Sequence, residues 1–594
     1  MAAAARRART GRQAHDRAGD AYMNTVIVNI GPDELYGCGQ HIAAAAELIR
    51  AGRLVAFPTE TVYGLGADAF NESAVRSVYD VKRRPPDNPL ILHIASYEQL
   101  DALVSGVSEH AAALARAYWP GPLTMIFSRR QGLPDYITAG LDTIAVRMPS
   151  HPVARVLLQA ARTPVAAPSA NLSGKPSPTD GLHVEHAFNG SIDMIINSGP
   201  TAIGLESTVL DVSRAPAVIL RPGAITLEMI AGAIGRENVS SRPADGGGRA
   251  ISPGTKHRHY SPDAPMLLFR GDLASVAHWM DIYLEQASAP TFESASKQAT
   301  ACKSDQPSTH HSEQSSVLTS VPASVPASKQ ATAPCTTSAG VLATDDVLAL
   351  LENTRHKSIK TRPLGKTGDA AAAAHSFYSS LLYMDQIGAK RILCELIRQD
   401  GLGAALADRM ARAAGSNIID ADDPLILFVC TGNTCRSAMA EALFNAAAET
   451  LSNTATADIA YSAPRAASAG LFAADGATAS IEAIETMGAF DVDLSGHKSR
   501  LLDYWHLMGA SLVLTMTRAH RDEILRRYPN TSERVFTIAD FVANMRPQKQ
   551  YIADGAAQGD IDDPFGLGHG EYRRCAENLR GLISPLLLRL ARGG

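Results

Sequence analysis

Long apolar runs are missing from this 594-residue chain. None reaches the roughly 18 residues that a membrane-spanning helix needs, so such a helix is excluded from the expected elements. Cysteine is scarce. Seven in so long a chain do not make a disulfide framework, and a reducing, cytoplasmic setting is expected. A basic excess is missing too. Lys+Arg number 55 against 60 Asp+Glu, a formal charge of -5. A dedicated duplex-binding protein would carry a surplus of cations, although a local anion pocket is compatible with this balance. There is no Walker loop and no GxGxxG after a strand pattern. What is present is length and apolar content. At about 150 residues per domain there is room for about four domains. A hydrophobic fraction of 45% is enough for packed cores.

The chain divides by composition. Residues 1–23 are Arg-rich, poor in acids and without the apolar stretch of a secretory signal. They are expected to be a disordered extension, with Met23 a second candidate start and an organellar transit peptide the remaining reading. Residues 24–250 alternate β-branched runs such as RLVAFP and TIAVRM with amphipathic stretches such as HIAAAAELIRAG, which reads as one α/β domain. Residues 251–263 form a linker, SPGTKHRHYSP at its centre. Residues 264–414 open on a buried-strand pattern, MLLFRG, and a helix pattern, LASVAHWMDIYL, and close on AAAAHSFYSSLLYMDQIGA, RILCELI and a further helix. Between these halves, residues 287–340 are Ser, Thr, Ala, Gln and Pro with few apolar anchors. ASKQATAC returns there as ASKQATAPC. Such a segment cannot bury enough apolar surface to offset its ordering entropy, so a disordered insertion is expected to split one small α/β unit. Its Cys302, Cys335, His310 and His311 are read as solvated linker residues. Residues 423–594 form a last domain, opening on LILFVC.

Six blocks in the first domain join a strand-like run to a polar turn: PTETVYGLGADA, KRRPPDNPLILHI, TIAVRMP, APSANLSGKPS, GLESTVL and ILRPGAI. Strand ends feeding loops are where α/β sheets take ligands. Lys82, Arg84, Arg147 and Arg221 suggest a polyanion such as a triphosphate. Ser169, Asn171 and Ser173 offer hydroxyl and amide donors. No nucleophile presents itself. The blocks resemble the threonylcarbamoyl-AMP synthase family over about Asn24 to Ala414, with Lys82-x-Arg84 and Ser169-x-Asn171 as the hallmark. The resemblance implies that L-threonine and bicarbonate give a carbamate that attacks the α-phosphate of ATP. Pyrophosphate leaves, and threonylcarbamoyl-AMP passes to a downstream transferase complex that modifies tRNA. It implies Thr61, His93, Arg147, Ala167 and Ser207 around threonine. It implies Arg84, Asn88, Thr143, Ser169, Asn171, Ser177, Arg221 and Tyr260 on the nucleotide side, with Lys82 on phosphate or carbamate. His93 also reads as a satisfied core histidine. Mg2+ on the phosphates is the expected helper; His257 and His259 are too few for a closed metal site. Longer synthases carry a similar linker as a lid and a small Rossmann-like domain, which the insertion here would interrupt.

In the last domain, the strand pattern Leu425–Cys430 leads through TGNTCRS into the helix pattern AMAEALFNAAAETL. A phosphate in that loop would meet successive N–H groups and a helix N-terminus. Gly432 is expected to supply the unusual dihedrals, and Arg436 to grip two oxygens in a fork. These positive ends favour a Cys430 thiolate poised for in-line attack, with Ser437 hydrogen-bonding it. A general acid is needed. DIDDPFG supplies Asp563, with Asp562 as runner-up. Residues from about Leu425 to Leu590 resemble the low-molecular-weight protein phosphatases. That resemblance implies Cys430 as nucleophile, Arg436 as phosphate binder and Asp563 as acid. Thr434 in the loop and Phe565-Gly566 after the proline resemble the protein-arginine-phosphatase branch, which makes phosphoarginine the favoured substrate over phosphotyrosine. An arsenate-reductase reading needs partner cysteines, and only Cys575 follows Cys435. Cys435 reads either as a disulfide partner of Cys430 under oxidation or as a packed loop thiol.

The expectation is therefore an α/β bifunctional enzyme, a synthase joined to a phosphatase. Its competitor is an RNA- or nucleotide-binding module joined to a tyrosine phosphatase. Carbamoyl transfer from carbamoyl phosphate is a further alternative, but acylphosphatase and zinc-finger segments are absent from the sequence.

Overall fold

The computed structural model describes residues 24–33, 37–241, 260–288, 339–352, 359–397, 400–454, 464–545 and 559–591. The expected extension, most of the expected insertion, His257 and His259 lie outside these residues. The first eleven strands are β1 (Val26–Asn29), β2 (Val55–Phe57), β3 (Gly64–Asp68), β4 (Ile91–His93), β5 (Leu123–Ser128), β6 (Thr143–Arg147), β7 (Val165–Ala166), β8 (Met194–Asn197), β9 (Thr208–Asp211), β10 (Ala217–Arg221) and β11 (Val239–Ser241). They form one mixed sheet in the order β1-β8-β2-β3-β7-β4-β6-β5-β9-β10-β11. The expected RLVAFP and TIAVRM strands are β2 and β6. HIAAAAELIRAG is the helix Gly39–Arg50, which buries Ile42, Ala45, Ala46 and Ile49. That i, i+3, i+4, i+7 spacing is one helical face, and Gly52 follows it at φ +76°, where glycine carries no Cβ penalty.

The small unit has β12 (Met266–Arg270), β13 (Ala339–Ala343), β14 (Ile359–Pro363), β15 (Ile392–Glu395) and β16 (Ile418–Asp420). All pair in parallel, in the order β14-β13-β15-β12-β16. The expected strands MLLFRG and RILCELI sit side by side in it. The expected insertion runs to Gly340, but Ala339 and Gly340 open the buried strand β13, and the helix Asp345–Glu352 and β14 are not foreseen in the sequence. β13 is an AGVLA run directly after a Ser/Ala/Thr-rich tract, and β14 is an edge strand with exposed Lys360 and Thr361. Neither carries the alternating pattern that marks a half-buried strand. The C-terminal unit has a four-stranded parallel sheet, β18-β17-β19-β20, from β17 (Leu425–Cys430), β18 (Arg465–Gly470), β19 (Leu512–Thr515) and β20 (Val535–Thr537). Its last helix, His569–Ala591, covers the helix Arg436–Thr454. Among the described residues no helix is long and apolar enough to cross a membrane.

The small unit contacts both neighbours. Leu205, from the loop before β9, is fully buried in the small unit's core with Phe377, Tyr378 and Leu381. On the other side, the helix Leu273–Ser288 carries Trp279 and Tyr283 into a core shared with Phe428 and Phe541 of the C-terminal unit. Gly204 makes the first contact feasible. It sits at φ +81°, and a Cβ there would lie 2.6 Å from the Ala374 carbonyl oxygen and the His375 Cα. Gly204→Ala is expected to destabilise the full chain by about 2 kcal/mol, through backbone strain and a clash with an unyielding helix. A thermal melt checks this, and an unchanged midpoint would contradict the close approach.

Candidate active sites

The first site is a cleft open to solvent. Its walls are strand ends and the loops beyond them. Thr61 lies between β2 and β3, His93 ends β4, Arg147 ends β6, Ala167 follows β7, Ser207 precedes β9 and Arg221 ends β10. All six line the cleft, as do Lys82, Arg84, Ser169, Asn171, Ser177 and Tyr260. Two expected residues do not. Thr143 opens β6, about 13 Å of strand away from Arg147 at the usual rise. Asn88 is buried beside the cleft, its carbonyl oxygen accepting from Arg84 Nε at 3.1 Å.

Each cation is held before any ligand arrives. Lys82, the last residue of the helix Glu72–Lys82, donates to the carbonyls of Ser169 and Asn171. Burial and then the neighbouring Arg84 push its ammonium well below the ordinary lysine range. Arg84 also reaches the Pro89 carbonyl at 2.9 Å. Arg221 donates to the Ser207 carbonyl at 3.0 and 3.1 Å. Arg147 donates to Glu60 at 2.7 Å and to the Thr61 hydroxyl at 2.9 Å. Glu60 is a residue that sequence reasoning missed. Desolvation opposes its charge, yet Arg147 holds the carboxyl below its ordinary value. Glu206 was missed as well. It lines the cleft and accepts from Ser177 at 2.5 Å. Both are single acids within TET and LES, and no spacing distinguishes them from surface acids.

His93 is 3% exposed and lines the cleft edge-on to Phe57. Its Nδ1 is buried without a hydrogen-bond partner. Desolvation first and Arg147 second lower its pKa to about 3. The folded chain therefore holds His93 neutral where an unfolded chain, near 6.5, binds a proton. The unfolded state gains protons first, so stability rises with pH across this window and is lost on acidification from about pH 6.5 toward 3. His93→Gln is expected to flatten that loss in urea midpoints taken against pH; an unchanged slope would show that His93 is not buried neutral.

The second site is the loop between β17 and the helix Arg436–Thr454. Cys430 ends the strand and is buried. Its Sγ lies 2.9 Å from Ser437 Oγ and 3.3 Å from the Asn433 N–H. The Arg436 guanidinium forms an ion pair with Asp563 and reaches the Ile561 carbonyl at 3.0 Å. The structure thus brings Cys430, Arg436 and Asp563 to one loop across about 130 residues. The runner-up acid, Asp562, is exposed. The dihedral expectation is corrected. The left-handed residue is Asn433 at φ +57°, not Gly432. Asn tolerates that region, and Asn433 has reasons to be there. Its amide donates to Ser437 at 3.0 Å and Ser468 at 2.7 Å, its side-chain oxygen accepts from Arg500 N at 2.8 Å, and its carbonyl meets His497 Nε2 at 2.7 Å. Asn433, Ser468 and His497 form a supporting layer that loop composition alone does not reveal.

Thr434 is half-buried in the loop. Cys435 lies against the Tyr572 hydroxyl at 3.3 Å. Cys575 is buried, and desolvation pushes its thiol up to about 12, which is unsuited to a thiolate relay. Among the described residues no group of three His, Cys, Asp or Glu is placed to hold a metal ion.

Comparisons with known proteins follow this division. Residues 47–223 match the Sua5/YciO/YrdC family, described as telomere recombination, and residues 225–415 match the threonylcarbamoyl-AMP synthase C-terminal domain. The threonylcarbamoyl-AMP synthase of Pyrococcus abyssi is 38% identical over 64% of this chain and 95% of its own length. The chain belongs to the threonylcarbamoyl-AMP synthase family. The crystal structure of P. abyssi Sua5 with L-threonine is 37% identical, covering 67% of this chain and 99% of that one, at a TM-score of 0.52. Residues 425–593 match the low molecular weight phosphotyrosine protein phosphatase family, so a phosphatase domain is joined to the synthase. That domain is similar to the YwlE arginine phosphatase of Geobacillus stearothermophilus, 35% identical over 28% of this chain and 92% of that one, TM-score 0.23. It is similar as well to a low molecular weight protein tyrosine phosphatase of T. tengcongensis, 37% identical over 28% and 99%, TM-score 0.24.

Proposed function

We propose that this chain forms threonylcarbamoyl-AMP, pyrophosphate and water from L-threonine, bicarbonate and ATP, and hydrolyses phosphorylated protein side chains through a cysteinyl-phosphate. The observation that carries the first activity is the convergence of Lys82, Arg84, Arg147 and Arg221 on one cleft. The L-threonine in the P. abyssi structure supports it. Thr61, His93, Arg147, the Ala167 backbone and Ser207 would surround threonine. A neutral His93 and the Arg147 guanidinium suit an amino-acid carboxylate and its polar neighbours. Lys82, Arg84, Ser169, Asn171, Ser177, Arg221 and Tyr260 would hold the nucleotide, with Asn88 supporting Arg84 from beside the cleft. The carbamate oxygen attacks the α-phosphorus, the bond to the β-phosphate oxygen breaks, and pyrophosphate carries away the electron pair. Cations fixed by carbonyls before binding need little reorganisation as charge shifts onto the leaving group. Alignment of the reactants supplies the rest. Glu206, the acid lining the cleft, is engaged by Arg409 at 3.0 Å, so the residues present do not make a protein-held Mg2+ site; the ion would enter on the triphosphate. The product would pass to a tRNA-modifying transferase complex.

In the phosphatase domain the Cys430 thiolate attacks phosphorus while Arg436 and the loop N–H groups hold the oxygens. Asp563 protonates the leaving atom, then draws a proton from water as the cysteinyl-phosphate is hydrolysed. For this Asp563 must exchange its contact with Arg436 for the leaving group. Phosphoarginine is the preferred substrate, on the Thr434 hydroxyl and the Phe565-Gly566 pair, with phosphotyrosine second.

Pyrophosphate release is expected to require threonine, bicarbonate and ATP together, and Lys82→Ala is expected to lower kcat/KM by about a hundredfold. Release without threonine would refute the synthase assignment. Cys430→Ser is expected to abolish phosphatase turnover, and Thr434→Ile to shift the phosphoarginine-to-phosphotyrosine rate ratio toward tyrosine. Full turnover by Cys430→Ser removes the nucleophile; an unmoved ratio removes Thr434 from substrate choice.

A further inference from the structure

The synthase cleft is not closed by residues 24–262 alone. The GLES block is its most exposed dependency. Gly204 lies against the backbone of the helix Ala370–Gln386, and Leu205 is fully buried among that unit's apolar residues. Glu206 then meets two side chains of the small unit. Tyr378 donates its hydroxyl at 3.1 Å, and Arg409 donates its Nε at 3.0 Å. Arg409 is fully buried, lies on the helix Leu402–Ala413 and has all three nitrogens engaged. Its second donor reaches Asp408 at 2.8 Å, and its third reaches the Pro222 carbonyl at 2.9 Å.

Those partners adjoin two cleft residues already described. Ser207 follows Glu206, and Pro222 follows Arg221. Arg221 in turn donates twice to the Ser207 carbonyl. One arginine from the small unit therefore ties together the chain entering β9 and the chain leaving β10, which carry Ser207 and Arg221. It also sits over the Tyr260 ring at 5.7 Å.

Charge gives the tie a second consequence. Glu206 lines the cleft, and an uncompensated carboxylate there would repel a triphosphate. Arg409 is its strongest electrostatic partner, ahead of Arg221, and holds the carboxyl below its ordinary value against desolvation. With Glu206 neutralised from behind, Arg221 is left to face the cleft.

We propose that Arg409 is a positioning residue of the synthase reaction: acting through Glu206 and Pro222, it sets Arg221 and Ser207 and neutralises the acid that would otherwise repel the nucleotide, so the small unit completes the ATP side of the cleft. This rests on the synthase reading above. Tyr378 assists by holding the same carboxylate.

The test is pyrophosphate release by the full-length chain, titrated with ATP at saturating threonine and bicarbonate, and then with threonine at saturating ATP. Arg409→Gln is expected to raise KM for ATP about tenfold or more, the loss of one buried charged hydrogen bond, and KM for threonine, which it reaches only through Ser207, by a clearly smaller factor. Arg409→Lys, which restores charge without the fork, is expected to fall between. The far-ultraviolet circular dichroism and thermal midpoint of the same samples report that the chain is folded. If the parent releases no pyrophosphate, the synthase reading and this proposal fall together. If the parent turns over and Arg409→Gln keeps the parent KM for ATP, or if both substrates' KM values rise equally, the proposal alone is overturned. Should Arg409→Gln not accumulate, Tyr378→Phe decides: a rise of about threefold in KM for ATP supports the proposal, and an unchanged value overturns it.

Discussion

Like charges gathered in one cleft repel, and the cleft of the synthase domain holds buried Lys82, Arg147 and Arg221 together with half-buried Arg84. The fold answers with backbone carbonyls. Ser169, Asn171, Asn88, Pro89 and Ser207 each turn a carbonyl oxygen toward a cation. Carbonyls carry partial charge, so they fix the cations without cancelling them. A full carboxylate appears twice, and each time it is spent on a neighbour: Glu60 on Arg147, Glu206 on Arg409. What remains is a surplus of positive charge in a low-dielectric cleft, which a polyanion relieves. The sheet topology serves this arrangement. β4, β6 and β10 end on the cleft, and the loops leading into β3 and β9 enter it.

The phosphatase loop meets the same problem by other means. The Arg436 guanidinium sits at the loop, held by Asp563 and the Ile561 carbonyl, and backbone N–H groups at a helix N-terminus add positive potential. Such a loop needs an unusual path. Asn433 takes the left-handed turn, and its side chain is fully buried and satisfied by Ser437, Ser468 and Arg500. The strain of a non-glycine residue at positive φ is thereby offset by hydrogen bonds that a glycine could not make. Gly432, the residue that the loop's composition singled out, has an ordinary backbone. It read as the pivot because glycine is the commonest solution, while the actual solution depends on Ser468 and His497, remote in sequence.

This contrast runs through the whole molecule. The elements that carry the chemistry were legible because each joined a hydrophobic run to a polar cluster: Thr143–Arg147, Gly204–Val209 and Leu425–Ser437 all stand where their patterns placed them. Residues that act alone within a block were legible by residue type, so the cations and Cys430 were found. Acids that matter through a distant partner were not. Glu206 gains its meaning from Arg409, 203 positions later, and Glu60 from Arg147, 87 positions later. β13 and β14 escaped for a different reason: one is a short small-residue run, the other a polar edge, and only pairing, of β13 with β15 and of β14 with β13, makes strands of them.

The middle unit links these two solutions mechanically. Toward the synthase it offers Arg409 and Tyr378. Toward the phosphatase it offers Asp281 and Glu285, which hold Arg589 at 2.6 and 3.2 Å, Arg391, which pairs with Glu533, and Tyr283, which donates to the Ser511 carbonyl at 2.5 Å. Arg589 and Glu285 are nearly buried. Breaking such a pair leaves an unpaired charge inside the protein, a cost of several kcal/mol. Rigid-body slippage at this seam is therefore opposed by more than apolar contact. Helices of the middle unit carry these pairs: Arg409 reaches Glu206 at the synthase cleft, and Asp281 and Glu285 reach Arg589 on the last helix of the phosphatase domain. A displacement of the middle unit relative to either neighbour would therefore have to uncover charge.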